Sequence, residues 1–308
     1  LIQAYHQMAL TEESQDKTAF VTPRIIPSQW KYLYAPFGLC SLVQSFQLLM
    51  DKVIRGLEFK IALCYLDDII VFGKTIDECM TRLDLVFDRL KKANLKLKPS
   101  KCQLFKEEIL YLGHVVSSKG IACDPQKVSA VKAWVRPNTQ KQLRTFLGTV
   151  AYYKRFIKNF ADIARPLYQL TSPKHPTKVN WTDECNRSFE LLKEKLVTAP
   201  VMSYPLDEGT YVLDTDASGI AIGGILHQEQ TDEKTGLKEL KVISYASRIL
   251  KDRETRYCAR RRELLAIIEF IKHFRPYLYG PKKFIVRTDH ASLKYLHKLN
   301  DPHDQFAR

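Results

Sequence analysis

The apolar positions along this chain change period several times. Residues 61–73, Ile-Ala-Leu-Cys-Tyr-Leu-Asp-Asp-Ile-Ile-Val-Phe-Gly, form two short β-prone runs on either side of an Asp-Asp pair, which is the pattern of a hairpin. From Thr75 to Asn94 the apolar residues Ile76, Met80, Leu83, Val86 or Phe87, and Leu90 recur at helical spacing, so an amphipathic helix is predicted. Short strand-like pieces follow near 95–97, 102–105 and 109–116. From Pro125 to about Leu170 the pattern is helical. Asp124 is a suitable N-cap with Pro125 at the first position, Pro137 and Asn138 end that helix, and Thr139 begins another. Residues 171–181, rich in Pro and polar residues, read as a linker. Beyond a helix at about 182–197, strand signals at 211–215, 220–227 and 240–246 precede a long helix near 257–279. A strand at 283–288 and a short helix at 291–297 follow, an order that predicts a small α/β domain.

Composition narrows the function classes. With 308 residues, 45% hydrophobic and 27% charged, the chain has material for roughly two domains with real cores. No apolar run reaches the ~18 residues of a membrane span, so no membrane partner is expected. The 48 Lys+Arg against 34 Asp+Glu leave a formal net charge of +14, which points to a polyanionic partner. Residues 130–170 concentrate this charge: Lys132, Arg136, Lys141, Arg144, Lys154, Arg155, Lys158 and Arg165 face one acid, Asp162, and Tyr152, Tyr153, Phe156 and Phe160 interleave with them. The 7 cysteines are scattered without a Cys-x-x-Cys pair, which argues against a disulfide framework or a zinc site. The chain starts at Leu1 without a signal sequence and is expected to be a processed product or a fragment.

Two groups of acids suggest chemistry. A hairpin needing only a turn would favour Asn-Gly or Asp-Gly, yet Asp67 and Asp68 stand between apolar flanks. Two charges at the end of a buried hairpin call for a compensating cation, and a pair of divalent cations is what phosphoryl transfer requires. The second group lies in the α/β domain. By strand alternation Asp214 and Asp216 share a face with Val212, so either could be a ligand. Glu263 falls on the apolar stripe of Ile267, Phe270 and Phe274, where a carboxylate needs a partner; Glu269 shares its face with Arg262 and His273 and reads as a solvated charge. Asp289 ends the run Phe284–Thr288. Three acids on three elements suit two-metal hydrolysis of a phosphodiester. The neighbouring basic cluster Arg248, Lys251, Arg253, Arg256, Arg260, Arg261 and Arg262 is expected to contact substrate phosphates.

These segments resemble, in order, the boxes of gypsy-type LTR retrotransposon Pol polyproteins. Tyr65-Leu66-Asp67-Asp68 is similar to the Tyr-x-Asp-Asp box of reverse transcriptases, Tyr5-His6-Gln7 to the segment after the first catalytic Asp, and Ala35-Pro36-Phe37-Gly38-Leu39 to the Met-Pro-Phe-Gly-Leu block. Leu112-Gly113-His114-Val115-Val116 is similar to the primer-grip block, and Phe146-Leu147-Gly148 with Tyr152-Tyr153-Lys154-Arg155-Phe156-Ile157 to the thumb. Thr215-Asp216-Ala217-Ser218, Glu263-Leu264-Leu265-Ala266 and Arg287-Thr288-Asp289-His290 resemble RNase H boxes.

The resemblance implies an α+β architecture: a reverse transcriptase palm of antiparallel sheet and helices with part of the fingers (1–116), a helical thumb and linker (117–180), and an RNase H-like α/β domain (181–308, core from about 205). It implies that Asp67, Asp68, Asp216, Glu263 and Asp289 are catalytic metal ligands for Mg²⁺ or Mn²⁺, two per active site. Tyr5, Phe37 and Gly38 would form the nucleotide pocket, and Gly113, His114, Lys154 and Arg155 would hold primer or nucleic acid. Implied partners are an RNA or DNA template-primer, RNA–DNA hybrids, dNTPs and the protease and integrase of the same polyprotein, with a dimer left open. The implied location is a cytoplasmic virus-like particle, with nuclear entry also left open. Ser41-Leu42-Val43-Gln44-Ser45 departs from the usual Asn-Ala-Pro-Ala-Thr at a template contact. The first polymerase Asp is expected one position before Leu1, and a last nuclease Asp beyond the end, with Asp301 and Asp304 too early to replace it. An alternative reading is a non-catalytic nucleic-acid-binding module derived from such an element. On the enzymatic reading this polypeptide should polymerise poorly and cleave weakly; extending it to include the upstream Asp and the fingers should restore nucleotide incorporation.

Overall fold

The computed structural model describes residues 1–23, 28–173, 176–232, 236–291 and 293. The chain divides into two compact units, Leu1–Tyr111 and Leu112–Arg308. In the first, α1 (Glu12–Asp16) precedes a small antiparallel pair, β1 (Phe20–Thr22) with β2 (Ser28–Trp30). Then come α2 (Leu42–Val53), the hairpin β3 (Ala62–Tyr65) and β4 (Asp68–Val71), α3 (Ile76–Lys92) and β5 (Glu108–Tyr111).

Helix α2 buries Phe46, Met50 and Val53 at i, i+4 and i+7 against Ala62 of the hairpin and Val86 and Leu90 of α3. Helix α3 begins where the Thr75 hydroxyl accepts from the Glu78 N–H while the Glu78 carboxylate accepts from the Lys74 N–H, a reciprocal cap. Only the later part of its predicted stripe enters the core: Ile76 and Met80 are 70% and 50% exposed. The segments 95–97 and 102–105, expected as strands, are not strands; Leu95 is instead buried and caps the core beside Leu90.

In the second unit the predicted 109–116 strand is broken at Leu112 and Gly113, whose φ angles are +47° and +69°. Strand β6 (His114–Ser117) pairs with β7 (Gly120–Cys123), a strand the sequence pattern did not show. Helix α4 (Pro125–Lys132) starts as expected, with Asp124 Oδ1 accepting from the Gln126 N–H. It ends at Lys132, ahead of Pro137. Thr139 and Gln142 form a capping box for α5 (Gln140–Tyr152). Helices α6 (Phe160–Leu170) and α7 (Asp183–Val197) complete a helical layer with one core that includes Phe146, Val150, Leu167, Phe189 and Leu192. The expected linker is packed, not loose. Val179 is buried, and Trp181 Nε1 donates to the Pro137 carbonyl at 2.8 Å; residues 174 and 175 lie outside the described residues.

The same unit carries a four-stranded sheet of β8 (Tyr211–Ala217), β9 (Ala221–Thr231), β10 (Lys238–Ile249) and β11 (Ile285–Arg287), in the order β10-β9-β8-β11. Strand β11 runs parallel to β8, and the other pairs are antiparallel. The long predicted helix is α8 (Ala259–His273) followed by a separate turn, α9 (Arg275–Leu278), because Pro276 lacks the N–H that would continue the ladder. The expected helix at 291–297, like Asp301 and Asp304, lies outside the described residues.

Helix α8 can approach the sheet because β9 carries Gly224, where an added Cβ would meet the Phe270 ring at 2.6 Å. Gly224→Ala should therefore push α8 off the sheet and cost about 1–3 kcal/mol, read as a lower midpoint in denaturant; an unchanged midpoint would show that α8 is not seated by this contact.

Candidate active sites

In the first unit Tyr65 pairs directly with Asp68, leaving Leu66 and Asp67 as the two-residue turn. Leu66 has φ +55°, a left-handed conformation that is uncommon for a bulky side chain. Its peptide groups are held on both sides. The Leu66 N–H donates to Gln47 Oε1 at 2.7 Å, and the Cys64 thiol donates to the Leu66 carbonyl at 3.3 Å. Gln47 is in turn oriented by donating from Nε2 to Asp51 Oδ1 at 2.7 Å. Nothing in the spacing singled out Gln47, which lies beside the apolar stripe of α2.

Asp67 and Asp68 are both exposed, so the expectation that buried flanks make their charges costly does not hold here. What distinguishes the tip is a strained turn beside two exposed acids that are neighbours in sequence. The local potential is negative. Burial and then the charges of Asp51, Asp67 and Asp68 push the Cys64 thiol up to about 12, and burial, Cys64 and Asp68 push the Tyr111 hydroxyl up to about 12. The Leu1 amino nitrogen stands 3.4 Å from the Asp67 carbonyl oxygen, so a residue joined ahead of Leu1 would enter beside this tip.

The three residues expected to meet a nucleotide lie near one another. Tyr5 is half-buried, edge-on to Phe37 at 5.7 Å and to Phe46 at 5.4 Å. Phe37 is 69% exposed, and Gly38 has φ +96°. His6 also meets the Phe37 ring edge-on at 5.2 Å.

In the second unit the Leu112-Gly113 turn is pinned by tyrosines. The Tyr152 hydroxyl donates to the Leu112 carbonyl and the Tyr153 hydroxyl to the Gly113 carbonyl at 2.7 Å. The His114 ring sits within 5.3 to 5.6 Å of Tyr152, Tyr153 and Phe156. Burial and then the Arg155 charge hold it below its ordinary pKa, opposed by its bond to the Leu112 carbonyl. His114 is thereby favoured in its neutral form and braces the turn. Arg155 stacks over Phe156 at 5.7 Å, and Lys154 is exposed; burial and then the Lys154 charge hold His273 below its ordinary pKa.

The acids of the sheet separate by partner. Asp214 receives a bidentate pair from Arg287, Nε at 2.5 Å and Nη2 at 2.6 Å, with His227 at 3.4 Å. Asp214 is thus neutralised, and Asp216, two residues on, is exposed. Glu263, 6% exposed on α8, accepts from the Ala217 N–H through Oε1 at 3.0 Å, while its buried Oε2 has no hydrogen-bond partner among the described residues. Burial, then the charges of Asp289 and Asp216, raise its pKa to about 7. Asp289 is exposed at the end of β11. The three carboxylates thus reach one another electrostatically. Among the described residues no three His, Cys, Asp or Glu side chains are gathered into a ready-made metal cage. The orphaned oxygen and the all-carboxylate donor set do fit a hard divalent cation.

Two expectations need correction. Glu269 is not a free solvated charge; it pairs with Arg248 at 3.3 Å. Arg248 also binds the buried Glu254 at 2.8 Å, so it is a structural cation and not an open phosphate contact. Arg262 donates to the Ser218 carbonyl at 2.8 Å and anchors the turn after Asp216. All seven cysteines are free, and among the described residues no helix is long and apolar enough to cross a membrane.

Comparison with known proteins agrees with this layout. Residues 1–116 match the family described as reverse transcriptase (RNA-dependent DNA polymerase), and residues 181–286 the RNase H-like domain found in reverse transcriptase. The Retrovirus-related Pol polyprotein from transposon 297 of Drosophila melanogaster is 39% identical, over 100% of this chain and 28% of its own length. That from transposon 412 of the same species is 36% identical, over 100% of this chain and 24% of its own. The chain therefore spans about a quarter of these relatives. A solved foamy viral protease-reverse transcriptase in complex with RNA/DNA hybrid shares the fold at a TM-score of 0.80 and 23% identity, covering 97% of this chain and 39% of that one. The dRH form in complex with ds DNA gives 0.82 and 23%, covering 96% and 50%.

The raised pKa of Glu263 predicts a pH effect. Folded, the group titrates near 7, against an ordinary value of 4.5. Its ionisation therefore favours unfolding, a penalty absent below 4.5, growing up to 7 and constant above. Without divalent cations Glu263→Gln should stabilise the protein at pH 8, by on the order of 2 kcal/mol, and not at pH 4.5. Thermal melts at the two pH values check this, and equal gains at both would overturn it.

Proposed function

The chain belongs to the retrotransposon Pol polyproteins, as their reverse transcriptase and RNase H-like region, and on that premise we propose that it copies RNA into DNA and hydrolyses the RNA strand of RNA–DNA hybrids. The observation that carries the nuclease half is Glu263, a buried carboxylate with one oxygen unpartnered and two acids, Asp216 and Asp289, close enough to raise its pKa. The polymerase half is supported by the strained turn that holds Asp67 and Asp68 outward on a hairpin tip.

On this reading Asp67 and Asp68, and separately Asp216, Glu263 and Asp289, hold Mg²⁺ or Mn²⁺, two ions at each centre. The ions supply activation of the attacking oxygen and neutralisation of the leaving group. The protein's own groups do the rest. Gln47 keeps the Leu66 turn in its strained form, which carries both acids at the hairpin tip. Tyr5 and Phe37 form an aromatic wall for the incoming dNTP. Tyr152 and Tyr153 brace the Leu112-Gly113 turn that would hold the primer. Arg287 removes Asp214 from the contest for cations, leaving Asp216 to bind them.

The proposed domain division is 1–116 for the palm, 117–180 for the thumb and linker and 181–308 for the RNase H-like domain. Template-primer, RNA–DNA hybrid and dNTPs are the proposed ligands, the protease and integrase the neighbours in the polyprotein, and a virus-like particle in the cytoplasm the setting. Binding to a labelled RNA–DNA hybrid should weaken by at least about tenfold between 50 and 200 mM salt, since neutralising phosphates releases counterions. Metal-dependent cleavage of the RNA strand should vanish in Asp216→Asn with hybrid binding retained. Flat salt dependence would sink the nucleic-acid assignment. Cleavage indifferent to Asp216→Asn, and incorporation by a longer polyprotein indifferent to Asp67→Asn and Asp68→Asn, would favour the non-catalytic binding module.

A further inference from the structure

Helix α3 and the segment after it enclose a groove in the first unit that the enzymatic reading does not use. It has a volume of about 420 Å³ and is lined by Phe87, Leu90, Leu95 and Leu97, with Lys91 and Lys96 beside them. Phe87 stays 39% exposed although it shares a helix face with the buried Leu90. The chain at 95–98 alternates as a strand does: Leu95 is buried, Lys96 exposed, Leu97 half-buried and Lys98 exposed. One edge of this segment is taken. The Lys96 N–H donates to Gln7 Oε1 at 2.6 Å, and the Lys96 carbonyl accepts from the Ile2 N–H at 3.0 Å and from Gln7 Nε2 at 3.2 Å. In an extended chain the backbone groups of the next residue point the other way. Among the described residues the Leu97 N–H and carbonyl have no hydrogen-bond partner.

Charge selects what can lie along that open edge. From Asp88 to Lys106 the chain carries Arg89 and six lysines against Asp88 alone. Among the described residues none of Lys91, Lys92, Lys96 or Lys98 is in an ion pair. Lysines along an open strand edge oppose its pairing with a second, equally basic copy. The same charges attract an acidic strand. A nucleic acid backbone would use the lysines but not the strand edge of Leu97 or the apolar lining of the groove.

We propose that the 95–98 edge binds an acidic peptide of a partner protein as an added strand, with one large apolar side chain of the peptide in the groove and its flanking carboxylates on the lysines. Main-chain hydrogen bonds to Leu97 set the register, and the groove selects the side chain at one position. The lysines speed the encounter. None of the carboxylates assigned to metal takes part, so the binding is independent of the enzymatic reading.

Fluorescence anisotropy of a short labelled peptide, Glu-Asp-Glu-Phe-Glu-Asp-Glu, tests this on the full chain. A net charge of +14 attracts any polyanion, so the comparison is among peptides of equal charge. Replacing the peptide's Phe with Ala should weaken binding by about tenfold, as for one aromatic side chain left unburied. N-methylating one alternate set of peptide amides should weaken it by about fivefold, as for a lost hydrogen bond, while methylating the other set changes it by less than about twofold. Lys91→Glu combined with Lys96→Glu should cut affinity by at least about tenfold. Should that variant fold poorly in a thermal melt, the peptide series on the parent chain still reads the same edge. Equal affinity for the Phe, Ala and both N-methylated peptides would reduce the effect to charge alone and overturn the proposal. Single-stranded oligodeoxythymidylate that binds more tightly than the Phe peptide, and is lost in the double lysine variant, would overturn it in favour of a nucleic-acid contact. A chain that sediments as a dimer and becomes a monomer in that variant would give the edge to a second copy and overturn it as well.

Discussion

A carboxylate buried on the apolar face of a helix governs the second unit of this protein. Glu263 reaches the sheet because Gly224 lets α8 come down onto β9, and it is held by one backbone N–H from Ala217 at the end of β8. The second oxygen has no partner among the described residues. A half-satisfied buried acid is costly, and its environment adds the repulsion of Asp216 and Asp289. Stability alone would favour replacing it. A cation beside it would offset that cost.

Neighbouring interactions sort the remaining charges around it. Arg287 neutralises Asp214 across the parallel β8–β11 pair, and Arg248 is committed to Glu254 and Glu269. Arg262 ties down the turn beyond Asp216. Among the described residues no ion pair of this kind is seen for Asp216, Glu263 or Asp289. In the first unit a different device operates. Strain at Leu66 is offset by hydrogen bonds with Gln47 and Cys64, next to the two acids of the tip. The Leu112-Gly113 turn is stiffened in a comparable way, by two tyrosine hydroxyls and a stacked, neutral histidine.

Much of the layout was legible in the residues. The 61–73 hairpin, the cap at Asp124, the helix start at Thr139, and the helix near 182–197 followed by three strands follow from local patterns and appear where those patterns put them. The failures are also physical. Segments 95–97 and 102–105 are β-prone but pair with no strand among the described residues. The long helix near 257–279 breaks at Pro276, whose effect was submerged by the apolar period on either side. The 171–181 stretch has a linker's composition, yet Val179 and Trp181 give it enough apolar surface to pack against the start of α5.

Residue type and spacing were enough to place each acid on its element and to mark Glu263 as anomalous, because periodicity is a property of the chain taken locally. They left Asp214 and Asp216 equivalent, took the flanks of the Asp67-Asp68 pair for buried, and gave no hint that Gln47 holds the Leu66 turn. Those distinctions depend on which charge or hydrogen-bonding group from a distant segment comes within a few ångströms. Arg287 lies 73 positions from Asp214 and Gln47 lies 19 from Leu66, and it is the packing of strands and helices that brings them together.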